Sequence, residues 1–111
     1  LMLASMLRAI SNLGEQEQVP VARELDYVQN YVALQRLRFG AGLHLRLLVE
    51  GRDWADTLFM PPLTLITLVE NVFKYGDLAD PAAPARIEVW LGPGEVVFQT
   101  NNRKKTEPTA E

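Results

Sequence analysis

Apolar positions recur along this chain with two different spacings. Between Leu1 and Leu13, Leu3, Met6, Leu7 and Ile10 fall at intervals of three and four, which predicts a helical stripe closed by Asn12 and Gly14. GEQEQ, residues 14–18, is a polar link. Val19-Pro20 then opens a second predicted helix, in which Leu25, Val28, Val32 and Phe39 share a face widened by Tyr27, Tyr31 and Leu34. Glu24 and Asp26 suit its positive end, Arg36 and Arg38 its negative end, and Gly40 and Gly42 stop it. So broad an apolar face predicts contacts on two sides, with its own domain and with a neighbouring helix. From Leu43 to Val49 the period changes to two, predicting a half-buried strand with His44 and Arg46 outward. EGRDWADTLF follows as a turn, with Trp54 the expected packing anchor.

Leu63 to Gly76, LTLITLVENVFKYG, is the most informative stretch. Pro61 and Pro62 precede it as first-turn prolines, and Gly76 follows it as a C-cap glycine would. At about 100° per residue, Leu65, Ile66, Val69, Val72 and Phe73 form one face. Thr67, Glu70, Asn71, Lys74 and Tyr75 form the other. On pattern alone, this polar stripe reads most simply as a solvated face. DLADPAAPA, residues 77–85, reads as a loop because of Pro81 and Pro84. Arg86–Leu91 and Glu95–Thr100 alternate around Gly92-Pro93-Gly94, a hairpin ended by Asn101-Asn102. The remaining RKKTEPTAE, residues 103–111, reads as a disordered tail. The order helix, helix, strand, helix, strand, strand predicts a mixed α/β (α+β) two-layer sandwich. Three strands are few for the helix area, so the sheet is expected to be incomplete.

Composition narrows the function more than the fold. At 111 residues and 48% hydrophobic, the chain makes one domain or part of one. A net charge of −3 with intermixed signs excludes a concentrated basic nucleic-acid surface. With no cysteine and one histidine, thiolate sites and histidine-rich metal sites are excluded. No segment is long and apolar enough to span a membrane, and LMLASML lacks the features of a signal peptide. A chain that starts at Leu1 is expected to be a piece of something longer. His44 has no triad partner motif, and no phosphate-binding GxxxxGK[ST] loop occurs. What remains is the stripe. Glu70 and Asn71 offer hard oxygen atoms suited to Mg²⁺, and Lys74 a cation for phosphate.

Three segments then resemble one family. LVENVFKYG, residues 68–76, with Met60-Pro61-Pro62 before it, resembles the N box of sensor histidine kinases of the LytS/YehU-like group. VPVARELDYVQNYVALQRLRFG, residues 19–40, resembles that group's dimerisation-type helix and its exit, and IEVWL…VVFQTNN its later hairpin. The likeness covers roughly residues 7–102. It implies a partial Bergerat-type (GHKL) ATP-binding sandwich over residues 41–102. Before it would come the end of a dimerisation-type helical region, residues 1–40, and after it the start of the ATP lid, residues 103–111.

By the same resemblance, Asn71 would coordinate Mg²⁺ between the ATP phosphates, Glu70 would orient groups near the γ-phosphate, and Lys74 would contact phosphate. Tyr75 would stand at the nucleotide wall. Asn101, or equally Asn102, would take the position of the adenine-reading aspartate. A response regulator and a second copy of the parent would be the partners. The segment would be a cytoplasmic part of a parent held in the membrane by missing upstream segments. The departures are specific: no phosphoacceptor histidine box is present, and no glycine-rich GxGxxN follows Asn102. The isolated chain is therefore expected to bind ATP weakly or not at all and to lack autokinase activity. The alternative is a degenerate module of this fold that serves dimerisation or partner docking.

Overall fold

The computed structural model describes residues 2–10 and 17–104. In chain order the elements are β1 (Met2–Ile10), β2 (Val19–Pro20), α1 (Val21–Phe39), β3 (Leu45–Glu50), β4 (Phe59–Met60), α2 (Thr64–Tyr75), β5 (Gly76–Asp77), β6 (Ala85–Gly92) and β7 (Glu95–Lys104). The main sheet runs β1-β7-β6-β3, with β5 pairing the far end of β7. β3 and β6 are parallel, and α2 lies in the crossover that such a pair requires. β6 and β7 form the predicted hairpin, with Gly92 opposite Glu95 across Pro93-Gly94.

Alternation along the hairpin divides the sheet into an inner and an outer face. Ala85, Ile87, Val89 and Leu91 of β6 are buried, as are Val96, Phe98, Thr100 and Asn102 of β7. Arg86 and Trp90, one residue out of phase, are exposed. The buried side chains of β6 and β7 join one core with Val21, Leu25, Val28 and Val32 of α1 and Leu65, Val69, Val72 and Phe73 of α2. Two helices thus cover one sheet face, the two-layer arrangement that the pattern predicts.

Several expectations are corrected. Residues 2–10 form a strand, antiparallel to β7 from Met2↔Arg103 to Ile10↔Glu95, where a helical stripe is predicted. A short apolar run fits either period. The long free edge of β7 offers this one a complete ladder of backbone partners, which decides the outcome. Asn12 and Gly14, the expected stop signals, lie outside the described residues. The sheet gains β1 and the two-residue β5 beyond the three strands expected. β7 continues through Lys104, so Arg103 and Lys104 belong to the sheet and not to a tail; residues 105–111 lie outside the described part. Trp54 is exposed in a single 3-10 turn, and Ala55 and Leu58 fill the core in its place. His44 precedes β3 and is half-buried; its backbone N–H donates to Leu78 O at 2.7 Å and its carbonyl accepts from Ala85 N at 3.0 Å.

Helix α1 has no side-chain cap of its own. Its first amides donate instead to carbonyls of the segment ahead of α2: Val21 N to Leu58 O at 2.8 Å and Ala22 N to Ala55 O at 3.1 Å. At its other end, Arg36 Nη2 donates to Leu45 O at 3.1 Å, tying the helix to the start of β3. In the middle, the rings of Tyr31 and Phe73 meet edge to face, 5.2 Å between centroids. α1 is therefore attached to the sandwich along its whole length.

Candidate functional site

The polar stripe lies on α2, and a residue of α1 sets where α2 begins. Glu24 is fully buried. Its Oε2 accepts from Leu63 N at 3.0 Å and its Oε1 from Leu65 N at 3.2 Å. These are amides that a helix start leaves without partners, and a carboxylate there also meets the positive end of the helix dipole. Leu63 has φ 64°, a conformation a leucine adopts only under constraint, and its side chain is exposed. The constraint is local: the Glu24 carboxylate holds its N–H, and Thr67 Oγ1 donates to its carbonyl at 2.7 Å. The predicted first-turn prolines thus precede the helix, which starts at Thr64.

The other end of α2 also differs from expectation. Gly76 has φ −86° and ψ 150°, so it is no left-handed C-cap. Glycine is required there for closeness: a Cβ would lie 2.6 Å from Asn102 Nδ2 and 2.6 Å from Val72 O. Asn102 is buried on the inner sheet face, seated against the exit of α2.

Between these anchors, Leu65, Val69, Val72 and Phe73 are buried, while Glu70, Asn71, Lys74 and Tyr75 are exposed. The four share one open face, as the periodicity predicts. Among the described residues, no hydrogen bond or ion pair engages Glu70, Asn71 or Lys74. Lys74 Nζ stands 5.4 Å from the Tyr75 ring centroid. No group of three or more acidic, histidine or cysteine side chains that could cage a metal occurs among the described residues. Asn71 and Glu70 each offer a hard oxygen of the kind Mg²⁺ takes, one or two from a protein with water and phosphate completing the shell.

Asn101 is not brought to this face. It alternates with Asn102 and so points to the outer side of the sheet. There it lines an open cleft of about 310 Å³ with Arg46, Ala83, Pro84 and Arg86. Its Oδ1 is buried without a hydrogen-bond partner among the described residues. Of the two asparagines that the sequence leaves open, Asn102 is the one on the α2 side. From the sequence, Glu24 reads only as an acid suited to the dipole of its own helix. The missed signal was its place among Val21, Leu25 and Val28, at core spacing.

Comparisons with known proteins point to histidine kinases at the level of family and relatives. A family model described as Histidine kinase matches residues 1–43. Sensor protein LytS of Bacillus cereus is 28% identical over 85 residues, covering 76% of this chain and 14% of the relative. Sensor protein LytS of Bacillus anthracis gives the same figures. Sensor protein LytS of Oceanobacillus iheyensis is 30% identical over 74 residues, covering 67% of this chain and 12% of the relative. The chain thus spans about one seventh of the length of the first two relatives. No solved structure matches it. The family match and these relatives together make the chain similar in sequence to a segment of a sensor histidine kinase.

Proposed function

We propose that this chain is part of the ATP-binding catalytic region of a sensor histidine kinase, and that the exposed stripe of α2 is its Mg²⁺ and phosphate face. The observation that carries the reading is the contrast along α2. Its back and both ends are committed to the fold, while Glu70, Asn71 and Lys74 are exposed and, among the described residues, their side chains make no hydrogen bond or ion pair, Lys74 only standing near the Tyr75 ring. In this reading Asn71 Oδ1 is the protein ligand of Mg²⁺. Glu70 orients groups near the γ-phosphate, Lys74 neutralises phosphate charge, and Tyr75 borders the nucleotide. Asn102 takes the adenine-reading position in place of Asn101. Bound Mg²⁺ would supply charge neutralisation on the phosphates, the larger part of what phosphoryl transfer needs from a protein. In the parent, the phosphoryl group would pass to a histidine and then to a response regulator. A membrane-anchored, dimeric parent belongs to the same proposal.

The test is a titration of the ¹⁵N-labelled chain with Mg-ATP into the millimolar range. Signals of Asn71, Lys74 and Tyr75 are expected to move together, and Asn71→Ala to remove the response because a metal ligand is gone. Asp53→Ala, exposed in the 3-10 turn after β3 and away from α2, serves as the control and retains the response. An Asn71→Ala protein that titrates like the unaltered one would falsify the assignment.

A second reading, an interaction module without catalysis, has its own observation. Leu34 is 64% exposed and Leu37 82% exposed on α1, beside a half-exposed Tyr27. If this face joins two copies, Leu37→Glu shifts the chain toward monomer in sedimentation equilibrium while its circular dichroism is unchanged. A monomeric unaltered chain removes this reading.

A further inference from the structure

Glu24 is a buried carboxylate whose two oxygens are both spent on another helix. Its partners, Leu63 N and Leu65 N, lie 39 and 41 residues further along the chain. The carboxylate is the only side chain among the described residues that accepts from the amides at the start of α2. Glu70 and Asn71 stand about two turns beyond this anchor, on the open face of the same helix. A helix of 12 residues with a packed back moves as a rod, so the setting of its first turn is also the setting of its stripe.

α1 meanwhile carries an apolar face, Leu34 and Leu37, that nothing among the described residues covers. A displacement arriving on that face cannot leave α2 behind. Val21 and Ala22 tie α1 to the segment that leads into α2, Glu24 holds the first turn of α2, and Tyr31 bears on Phe73. Of these links, Glu24 alone acts on the free amides that define the axial position of α2.

From this geometry we infer that Glu24 is a positioning residue: its carboxylate sets α2, and through α2 the stripe of Glu70, Asn71 and Lys74, according to the position of α1. The inference deepens the proposed function and rests on it for the nucleotide part alone. The coupling between the helices stands on the hydrogen bonds themselves.

Glu24→Gln keeps the shape and loses the charge and one acceptor, and charge-assisted hydrogen bonds are roughly twice as strong as neutral ones. Val28→Ala truncates a buried side chain of the same helix without touching the anchor and serves as the control for lost stability. Residual dipolar couplings of the α2 amides against those of β6 and β7 read the helix orientation. In Glu24→Gln they are expected to change, and the Mg-ATP dissociation constant to rise about tenfold, within the usual range of site-to-site coupling. In Val28→Ala both stay at their original values even where the melting temperature falls further.

Unchanged couplings in Glu24→Gln, or equal changes in Val28→Ala, overturn the inference. Changed couplings in a chain whose unaltered form shows no response to Mg-ATP uphold the link between the helices and overturn the nucleotide reading alone.

Discussion

Gly51→Ala is expected to destabilise the chain by about 3 kcal/mol or more, a large fraction of what a domain of this size possesses. Two effects add. Gly51 has φ 84°, where an L side chain is strained whatever the space around it. A Cβ there would also lie 2.1 Å from the carbonyl oxygen of Leu91, which is backbone of the sheet and cannot rotate aside. Relief requires the turn after β3 to lift off β6, which strips cover from Ala55 and Leu58. Gly92→Ala is the natural comparison, because a Cβ there meets nothing within 4 Å. Urea denaturation is expected to show a much lower midpoint for Gly51→Ala and a nearly unchanged one for Gly92→Ala. Similar midpoints for the two variants would contradict the close approach at Leu91.

Phe73→Ala is expected to cost about 3–5 kcal/mol, the range for deleting a buried aromatic side chain. Phe73 is 2% exposed, on the back of α2 where the helix meets α1. Its loss removes the apolar burial and the edge-to-face contact with Tyr31, worth about 0.5–1.5 kcal/mol beyond area. It also deepens an open surface cleft of about 120 Å³ that Phe73 lines with Phe39, Leu43 and Leu78. Phe73→Leu keeps most of the volume and is expected to cost less than half as much. A double-mutant cycle with Tyr31→Leu isolates the ring contact. A coupling near zero would mean that Phe73 acts through burial alone.

The elements that could be read from the sequence are those whose signal is local. α1, α2 and the β6–β7 hairpin follow from spacing within a dozen residues, because a helix or a tight hairpin satisfies its backbone from its own segment. The exposed stripe of Glu70, Asn71, Lys74 and Tyr75 was legible for the same reason: a helical face is arithmetic. Residues 2–10 were not legible. Their hydrogen bonds go to β7, some ninety residues away, and no local pattern reports that an edge is open. Trp54 misled through size, since bulk predicts burial only on average.

The candidate site divides along the same line. The sequence alone determined which chemical groups α2 presents and that they share one face. Tertiary structure alone decided that Asn102 and not Asn101 lies on the α2 side. That choice depends on the phase of β7 against the helix layer, and a shift of one residue reverses it. Tertiary structure also decided that Glu24 serves α2 rather than its own helix. A buried carboxylate is stable only where donors converge on it, and here the donors come from a turn 39 residues away. The side chains of the stripe are encoded in one short segment, but their position in space is set by contacts between distant ones.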